Sequence, residues 1–325
     1  VLICLAFVAM ASCSASARAT ASTDPDSLRA ILDAKIGEVV QQGSAPSVQV
    51  AVVYQDQVVW SKAYGADASP HDVYMNASVQ KAFTATAVLQ LMDRGLVDLD
   101  ADVSDYVPIR VRHPEFPDVP VTLRMLLAHR SGLNSFPDQF DWDTKCVFSP
   151  RFRPRCRSEI VDLSLNEYLE ARLIHGTPDF SRDAWGSKPG EEYRYSVSAY
   201  PFLRYLVEQV TGLSYADYMR QNIFHPLGME DSGFSVGEAG SRHTVPHTRI
   251  EQKDVELPIW DGNGFMMHTS AEDMARFMIP FLDEGRVGDI QLLQGQTQDL
   301  MMERVSRFRG LSSDLTRIGH GLGLF

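Results

Sequence analysis

Ser78 and Lys81 stand three positions apart in the run Ala77-Ser78-Val79-Gln80-Lys81-Ala82-Phe83-Thr84-Ala85. On a helix, positions i and i+3 share a face, so the lysine amine can reach the serine hydroxyl. A serine in the first helical turn also meets unsatisfied backbone N–H groups and the positive end of the helix dipole, which favour developing negative charge. A lysine enclosed in an apolar pocket loses part of its proton affinity and can act as a base. The chemistry this pair suits is nucleophilic acyl transfer. The tetrad alone is weak evidence, because with six lysines and 28 serines in 325 residues chance supplies about one such tetrad in every two chains. The competing interpretation is an ordinary helix start with a solvated lysine.

The elements around this pair follow from hydrophobic spacing. Asp24 to Gly43 has a helical stripe of Leu28, Ile31, Leu32, Ile36 and Val39-Val40. Ser47 to Tyr54 and Val58 to Tyr64 alternate as strands, with Gln55-Asp56-Gln57 as the hairpin turn between them. Ser78 to Arg94 is rich in Ala, Leu and Gln and stops at Gly95, which predicts a strong helix. Thr122 to His129 is a short helix capped by the threonine. Leu165 to Leu173, Ser198 to Thr211 and Tyr215 to Ile223 are further helices. Ser270 with Asp273 three residues on opens another helix, expected to run to about Glu284.

Composition limits the function classes. The chain has 30 basic and 42 acidic residues, a net charge of −12, which disfavours a phosphate backbone as partner. The one dense basic run, Arg151, Arg153, Arg155 and Arg157, reads as a solvated loop. Hydrophobic residues at 44% and charged residues at 22% are those of a globular protein, and a chain of 325 residues builds a core without staples. No Cys/His cluster has metal-ligand spacing and no H-E-x-x-H pattern occurs, so neither metal nor cofactor is expected.

The ends point to export. Val1 to Ala11 is a nearly continuous apolar run too short to span a bilayer, followed by small residues from Ser12 to Ala17. Residues 1–22 therefore read as part of a signal segment. Met10-Ala11-Ser12-Cys13 is a loose lipobox that would give a lipid anchor at Cys13. Cleavage after Ala15-Ser16-Ala17 is the alternative. Either places the protein in the periplasm or outside the cell. Cys146 and Cys156, with nine residues between them, then read as a disulfide closing a small loop, with two free thiols as the alternative. At the other end, Gly321-Leu322-Gly323-Leu324-Phe325 reads as a strand cut in mid-course.

Several ordered stretches carry a resemblance. The Ser78 helix is followed by Leu91-Met92-Asp93-Arg94-Gly95-Leu96-Val97-Asp98-Leu99-Asp100 and by Val103-Ser104-Asp105-Tyr106-Val107-Pro108. Then come Val121-Thr122-Leu123-Arg124-Met125-Leu126-Leu127-Ala128-His129-Arg130-Ser131-Gly132-Leu133 and the set Pro189-Gly190, Tyr195-Ser196 and Tyr200. Phe224-His225-Pro226-Leu227-Gly228-Met229 and Ser270-Ala271-Glu272-Asp273-Met274-Ala275-Arg276-Phe277 complete the series. From about Ile31 onward the chain resembles the serine β-lactamase and penicillin-binding-protein-like family, in its class C β-lactamase, D-alanyl-D-alanine carboxypeptidase and esterase branch. The resemblance implies an α/β fold, an antiparallel sheet flanked by helices with an inserted all-helical domain. The α/β part would span 23–75 plus 260–325, short of its C-terminal strands, and the helical part 76–259.

The same resemblance implies roles. Ser78 would be the acylated nucleophile, Lys81 would help deprotonate it, and Tyr195 would be the base or proton shuttle toward the leaving group. The Ser78 N–H would give one oxyanion donor. His129 would be structural. Two departures stand against a complete site. The family's Tyr-x-Asn has Val197 at the amide position, with Ser196 and Ser198 as the neighbouring hydroxyls that could stand in. The third motif, Lys-Thr-Gly or His-x-Gly, does not occur, and His320-Gly321-Leu322-Gly323 resembles the strand before it. The expected activity is that of an exported serine hydrolase acting through an acyl-serine on an ester, amide or D-amino-acid peptide. The alternative is a non-catalytic relative that binds cell-wall or peptide ligands.

Overall fold

The computed structural model describes residues 25–42, 46–54, 56–134, 139–141, 146–148, 155–156, 169, 173, 184–235, 242–245, 247–250, 253–256, 266–307 and 319–323. The export segment and most of the arginine run therefore lie outside the described residues. So does the helix expected over 165–173, of which only the buried Leu169 and Leu173 are described.

Helix α1 (Pro25–Gln41) opens on a proline, whose fixed φ suits a first helical position. Strands β1 (Ser47–Tyr54) and β2 (Gln57–Gly65) pair antiparallel from Ser47 opposite Gly65 to Tyr54 opposite Gln57, with a bulge at Val52/Val53. Side chains alternate across such a ribbon, so Lys62 and Tyr64 share one face while Ala63 and its partner Gln49 share the other. The first face meets α1. The Asp33 carboxylate accepts from Lys62 Nζ at 2.8 Å and from the Tyr64 hydroxyl at 2.5 Å. The second face meets α6 (Ala271–Met278), whose first N–H donates to Gln49 Oε1 at 2.8 Å. A two-stranded ribbon is thus covered by a helix on each side.

The remaining strands are short pairs. Strand β3 (Tyr74–Met75) pairs with β11 (His268–Thr269), and β4 (Arg112–His113) with β5 (Phe116–Pro120). Strands β6 (Gln139–Asp141), β7 (Cys146–Phe148) and β8 (Arg155–Cys156) form a three-stranded antiparallel sheet. Strand β9 (His247–Ile250) pairs with β10 (Lys253–Glu256), β12 (Arg286–Val287) with β13 (Ile290–Gln291), and β14 (Ser306–Arg307) with β15 (Gly319–His320).

Helix α2 (Gln80–Asp93) runs through the centre. From Phe83 to Leu91 every side chain is buried, with no polar face, as expected of a helix enclosed on all sides. Its polar members are paired: Thr84 with the Tyr215 hydroxyl at 2.8 Å, and Gln90 with the Leu292 carbonyl at 3.1 Å and the Tyr218 hydroxyl at 3.1 Å. Phe83 stacks on Phe277 of α6 at a 3.7 Å centroid distance and meets Phe224 edge-on at 6.2 Å. A side chain of this size contributes roughly 1.5–3 kcal/mol on full burial. Around α2 lie α3 (Leu123–Leu127), α4 (Ala199–Thr211), α5 (Tyr215–Met219) and α7 (Gly295–Met302).

Two expected helices depart from single regular segments. The Tyr215 helix continues past Met219 as a π-helical turn over Arg220–Phe224. The Ser270 helix is regular only to Met278 and then tightens to a 3₁₀ turn over Ile279–Leu282, because Pro280 has no N–H to continue the ladder.

Candidate active site

The turn that presents Ser78 is tied to the strand before α6. The Asn76 N–H donates to the Met267 carbonyl at 2.9 Å, and Gln80 Oε1 accepts from the Met267 N–H at 2.8 Å. Between these anchors Ala77 has φ 44°, a left-handed conformation that a non-glycine residue rarely holds, and strain of this kind concentrates at functional sites. Ala77–Val79 form a 3₁₀ turn that feeds directly into α2. The expected Ser78 helix is therefore present, but its serine sits on the tight turn ahead of the regular helix. The N–H groups of a first turn have no intrahelical acceptors, and that of Ser78 is among them.

Ser78 Oγ receives two partners. Lys81 Nζ donates to it at 3.0 Å, and the Tyr195 hydroxyl shares a 2.7 Å hydrogen bond with it. Sequence reasoning nominated these three residues, and the fold brings them onto one oxygen although Tyr195 lies 117 positions from Ser78. Lys81 is buried, with Nζ 5.2 Å from the Tyr195 ring centroid and 5.3 Å from that of Tyr200. No carboxylate among the described residues pairs with it. Its neighbours are two aromatic faces and the serine oxygen. A proton leaving Ser78 thus has an amine and a phenol oxygen within reach.

Burial raises the phenol pKa of the two neighbouring tyrosines. Burial pushes the Tyr200 phenol above its ordinary range, with Tyr195 and Tyr193 adding to it, and its hydroxyl donates to the Leu127 carbonyl at 3.2 Å. Burial and then Tyr195 push Tyr193 up to about 12. Both keep their protons at neutral pH.

The turn after α3 holds the Tyr195 segment. The Arg194 N–H donates to the His129 carbonyl at 2.7 Å, and the Ser196 N–H donates to His129 Nδ1 at 3.1 Å. The Gly190 N–H donates to the Arg130 carbonyl at 2.8 Å, and the Arg130 guanidinium returns a 2.6 Å bond to the Gly190 carbonyl. Gly132 has φ +80°, and a Cβ there would lie 2.2 Å from the Ser187 carbonyl oxygen, so this turn requires glycine. His129 is fully buried with Nδ1 occupied, which fits the structural role that the resemblance implied.

Residues 32–325 match the family model described as Beta-lactamase. The chain belongs to the beta-lactamase family. Protein flp of Staphylococcus aureus (strain MRSA252) is 28% identical over 260 residues, 76% of this chain and 47% of that protein. The chain thus spans about half the length of the first curated relatives it matches. The octameric penicillin-binding protein homologue from Pyrococcus abyssi superposes with a TM-score of 0.71 at 23% identity, covering 91% of this chain and 64% of that one. The D-stereospecific amidohydrolase from Streptomyces sp. does so with a TM-score of 0.67 at 24% identity, covering 90% and 82%. These two establish the β-lactamase/transpeptidase-like α/β fold.

Within the beta-lactamase family reading, Val197 remains the unusual position. It is half-buried and carries no polar group. Ser196 does not stand in for an amide: its hydroxyl donates to the Asn134 carbonyl at 3.2 Å and accepts from the Ala199 N–H at 3.2 Å. Ser198 is buried at the start of α4.

Sequence reasoning missed how Gly321-Leu322-Gly323 serves the site. Over the described residues 321–323 it is buried and bends after β15 where a strand was expected, and Leu324 and Phe325 lie outside the described residues. A Cβ on Gly323 would lie 2.3 Å from Ala85 Cβ and 3.2 Å from both the Lys81 carbonyl and the Tyr200 hydroxyl. The bend therefore backs the helix turn that carries Lys81. Two glycines flanking one leucine were the available signal, since close approach to a helix needs residues without side chains. Among the described residues, no group of three His, Cys, Asp or Glu side chains is placed to hold a metal ion. No described helix is long and apolar enough to cross a membrane.

Proposed function

We propose that this chain is a serine hydrolase that works through an acyl-serine intermediate on an ester, amide or D-amino-acid peptide. The observation that carries the reading is the pair of hydrogen bonds converging on Ser78 Oγ, from Lys81 Nζ at 3.0 Å and with the Tyr195 hydroxyl at 2.7 Å. In the proposed sequence, the Ser78 hydroxyl gives its proton to the Lys81–Tyr195 pair as Oγ bonds to the substrate carbonyl carbon. The Ser78 N–H steadies the resulting oxyanion. Tyr195 returns the proton to the leaving nitrogen or oxygen as its bond to carbon breaks, leaving the acyl group on Ser78. Water then attacks the acyl carbon, gives up a proton to the same pair, and Ser78 leaves with it.

The D-stereospecific amidohydrolase and the penicillin-binding protein homologue among the structural neighbours support the amide and D-amino-acid-peptide classes. The apolar run Val1–Ala11 with its small-residue zone supports export to the periplasm or cell exterior. A second reading, a non-catalytic ligand-binding relative, is favoured by one feature, the apolar Val197 beside Tyr195.

Fluorophosphonate labelling of the full chain followed by peptide mapping separates the two. An adduct on Ser78, absent from Ser78→Ala, is the expected result, together with loss of hydrolysis of p-nitrophenyl esters and D-amino-acid amides by that variant. Hydrolysis by Ser78→Ala at the parent rate overturns the catalytic reading.

A further inference from the structure

We propose that His129 is a positioning residue for Tyr195, an inference that rests on Ser78 being acylated with Tyr195 moving its proton. One residue anchors both neighbours of the tyrosine. The His129 carbonyl accepts from the Arg194 N–H at 2.7 Å and its ring Nδ1 accepts from the Ser196 N–H at 3.1 Å. Tyr195 lies between these two bonds, and its ring packs on the imidazole at a 4.6 Å centroid distance. The same imidazole meets the Tyr200 ring at 5.2 Å, which in turn flanks Lys81 Nζ. His129 is fully buried, so the clamp has no slack from solvent.

The residue type matters twice. Nδ1 accepts an N–H only when that nitrogen is unprotonated, so the clamped ring is neutral with its proton on Nε2. The backbone of His129 has φ 53°, a left-handed conformation in which Asn, Asp and His are several-fold enriched over other non-glycine residues. Asparagine offers both a side-chain acceptor and tolerance of that φ without burying a charge, as aspartate would. Phenylalanine keeps the ring packing and removes the acceptor.

A hydroxyl that must stay 2.7 Å from Ser78 Oγ is sensitive to small displacements. A shift of about 1 Å at a reacting group lowers rates by about 10²-fold.

The test compares His129→Phe and His129→Asn with the parent and Ser78→Ala, all as the full chain. Three quantities are read: the fluorophosphonate labelling rate, kcat and KM on a p-nitrophenyl ester, and the urea midpoint. We expect His129→Phe to lose about 10²-fold in labelling rate and kcat with KM changed by less than about 3-fold, and His129→Asn to stay within about 5-fold of the parent. Equal rates for the two variants, or losses that only track the urea midpoint, overturn the proposal. If His129→Phe does not fold, His129→Asn decides alone, and loss of labelling by the folded protein overturns the clamp. A parent that does not label at all refutes the acyl-serine reading and not the clamp. The clamp is then judged by a crystal structure of His129→Phe, or of His129→Asn where the former does not fold. The Tyr195 hydroxyl moves away from Ser78 Oγ in His129→Phe, or stays bonded to it in His129→Asn, if the clamp is real, and the opposite result overturns it.

Discussion

Replacing Gly132 by alanine tests the turn that leads from α3 to the Tyr195 segment. Two costs add. Gly132 has φ +80°, and an L residue held in left-handed conformation loses about 1–2 kcal/mol. The new Cβ would also lie 2.2 Å from the Ser187 carbonyl oxygen, so that backbone must retreat by roughly 1 Å or more to reach an ordinary contact. Retreat strains the 2.8 Å bond from the Gly186 N–H to the Gly132 carbonyl, which joins the two segments at this point. Overpacking of a well-packed site costs about 1–3 kcal/mol. The expected total is about 2–5 kcal/mol. Gly212→Ala separates the two costs, because Gly212 has φ +71° at the end of α4 with no atom within 4 Å of an added Cβ. It should lose only about 1 kcal/mol. Urea unfolding followed by circular dichroism gives both values from midpoint shifts at constant slope. A Gly132→Ala loss within about 0.5 kcal/mol of that for Gly212→Ala refutes the collision with Ser187.

Tyr195→Phe keeps the ring that packs on His129 and removes the hydroxyl 2.7 Å from Ser78 Oγ, so kcat should fall by about 10²–10⁴-fold with the urea midpoint little changed; an unaltered kcat removes Tyr195 from the proton path. Burial pushes the Asp102 carboxyl up, but bonds from the Arg112 guanidinium and from Ser104 outweigh it and hold the group below the ordinary carboxylate value. A carboxylate whose folded pKa lies below its unfolded one stabilises the fold above the unfolded value, and this is lost as pH falls through the folded value. The urea midpoint should therefore drop between about pH 5 and pH 3, with a shallower drop in Asp102→Asn, and equal slopes would count against the pair. Strands β7 and β8 set Cys146 directly opposite Cys156, and facing residues on antiparallel strands have Cα atoms roughly 4.5–5.5 Å apart, inside the range a disulfide spans. Non-reducing peptide mapping of the air-exposed protein should recover the two in one linked peptide, whereas separate alkylation of both thiols would contradict it.

The parts of this molecule legible from sequence are those whose causes are local. The β1–β2 hairpin, the Gly95 helix stop, and the Thr122 and Ser270 caps each depend on a few adjacent residues, and each is found where expected. The Ser78–Lys81 contact belongs to the same class, since a spacing of three on a helix brings the two side chains together whatever surrounds them. Tyr195 was singled out by resemblance, because nothing in its own neighbourhood distinguishes it from Tyr193 or Tyr200. What does distinguish it is tertiary: the fold brings its hydroxyl to 2.7 Å from Ser78 Oγ.

The illegible parts are bonds between distant residues and conformations that their residue types disfavour. Alanine carries no signal for left-handed backbone, yet Ala77 adopts it where the strand pairing at Met267 forces the chain to turn before α2. The bond from the Ser196 N–H to His129 joins positions 67 apart, and only the folded chain tells an acceptor imidazole from a buried spacer. The same holds for Gly323, whose lack of a side chain makes sense only against Ala85 and the Lys81 carbonyl. A serine–lysine contact can thus be found from a tetrad, but the third side chain on Ser78 is placed by bonds between residues distant in sequence. The supporting groups lie on the turn after α3 and on the Gly-Leu-Gly bend. Variants at His129, Gly132 and Gly323 therefore measure how far the Ser78–Lys81–Tyr195 cluster is built by its supports, without altering those three side chains.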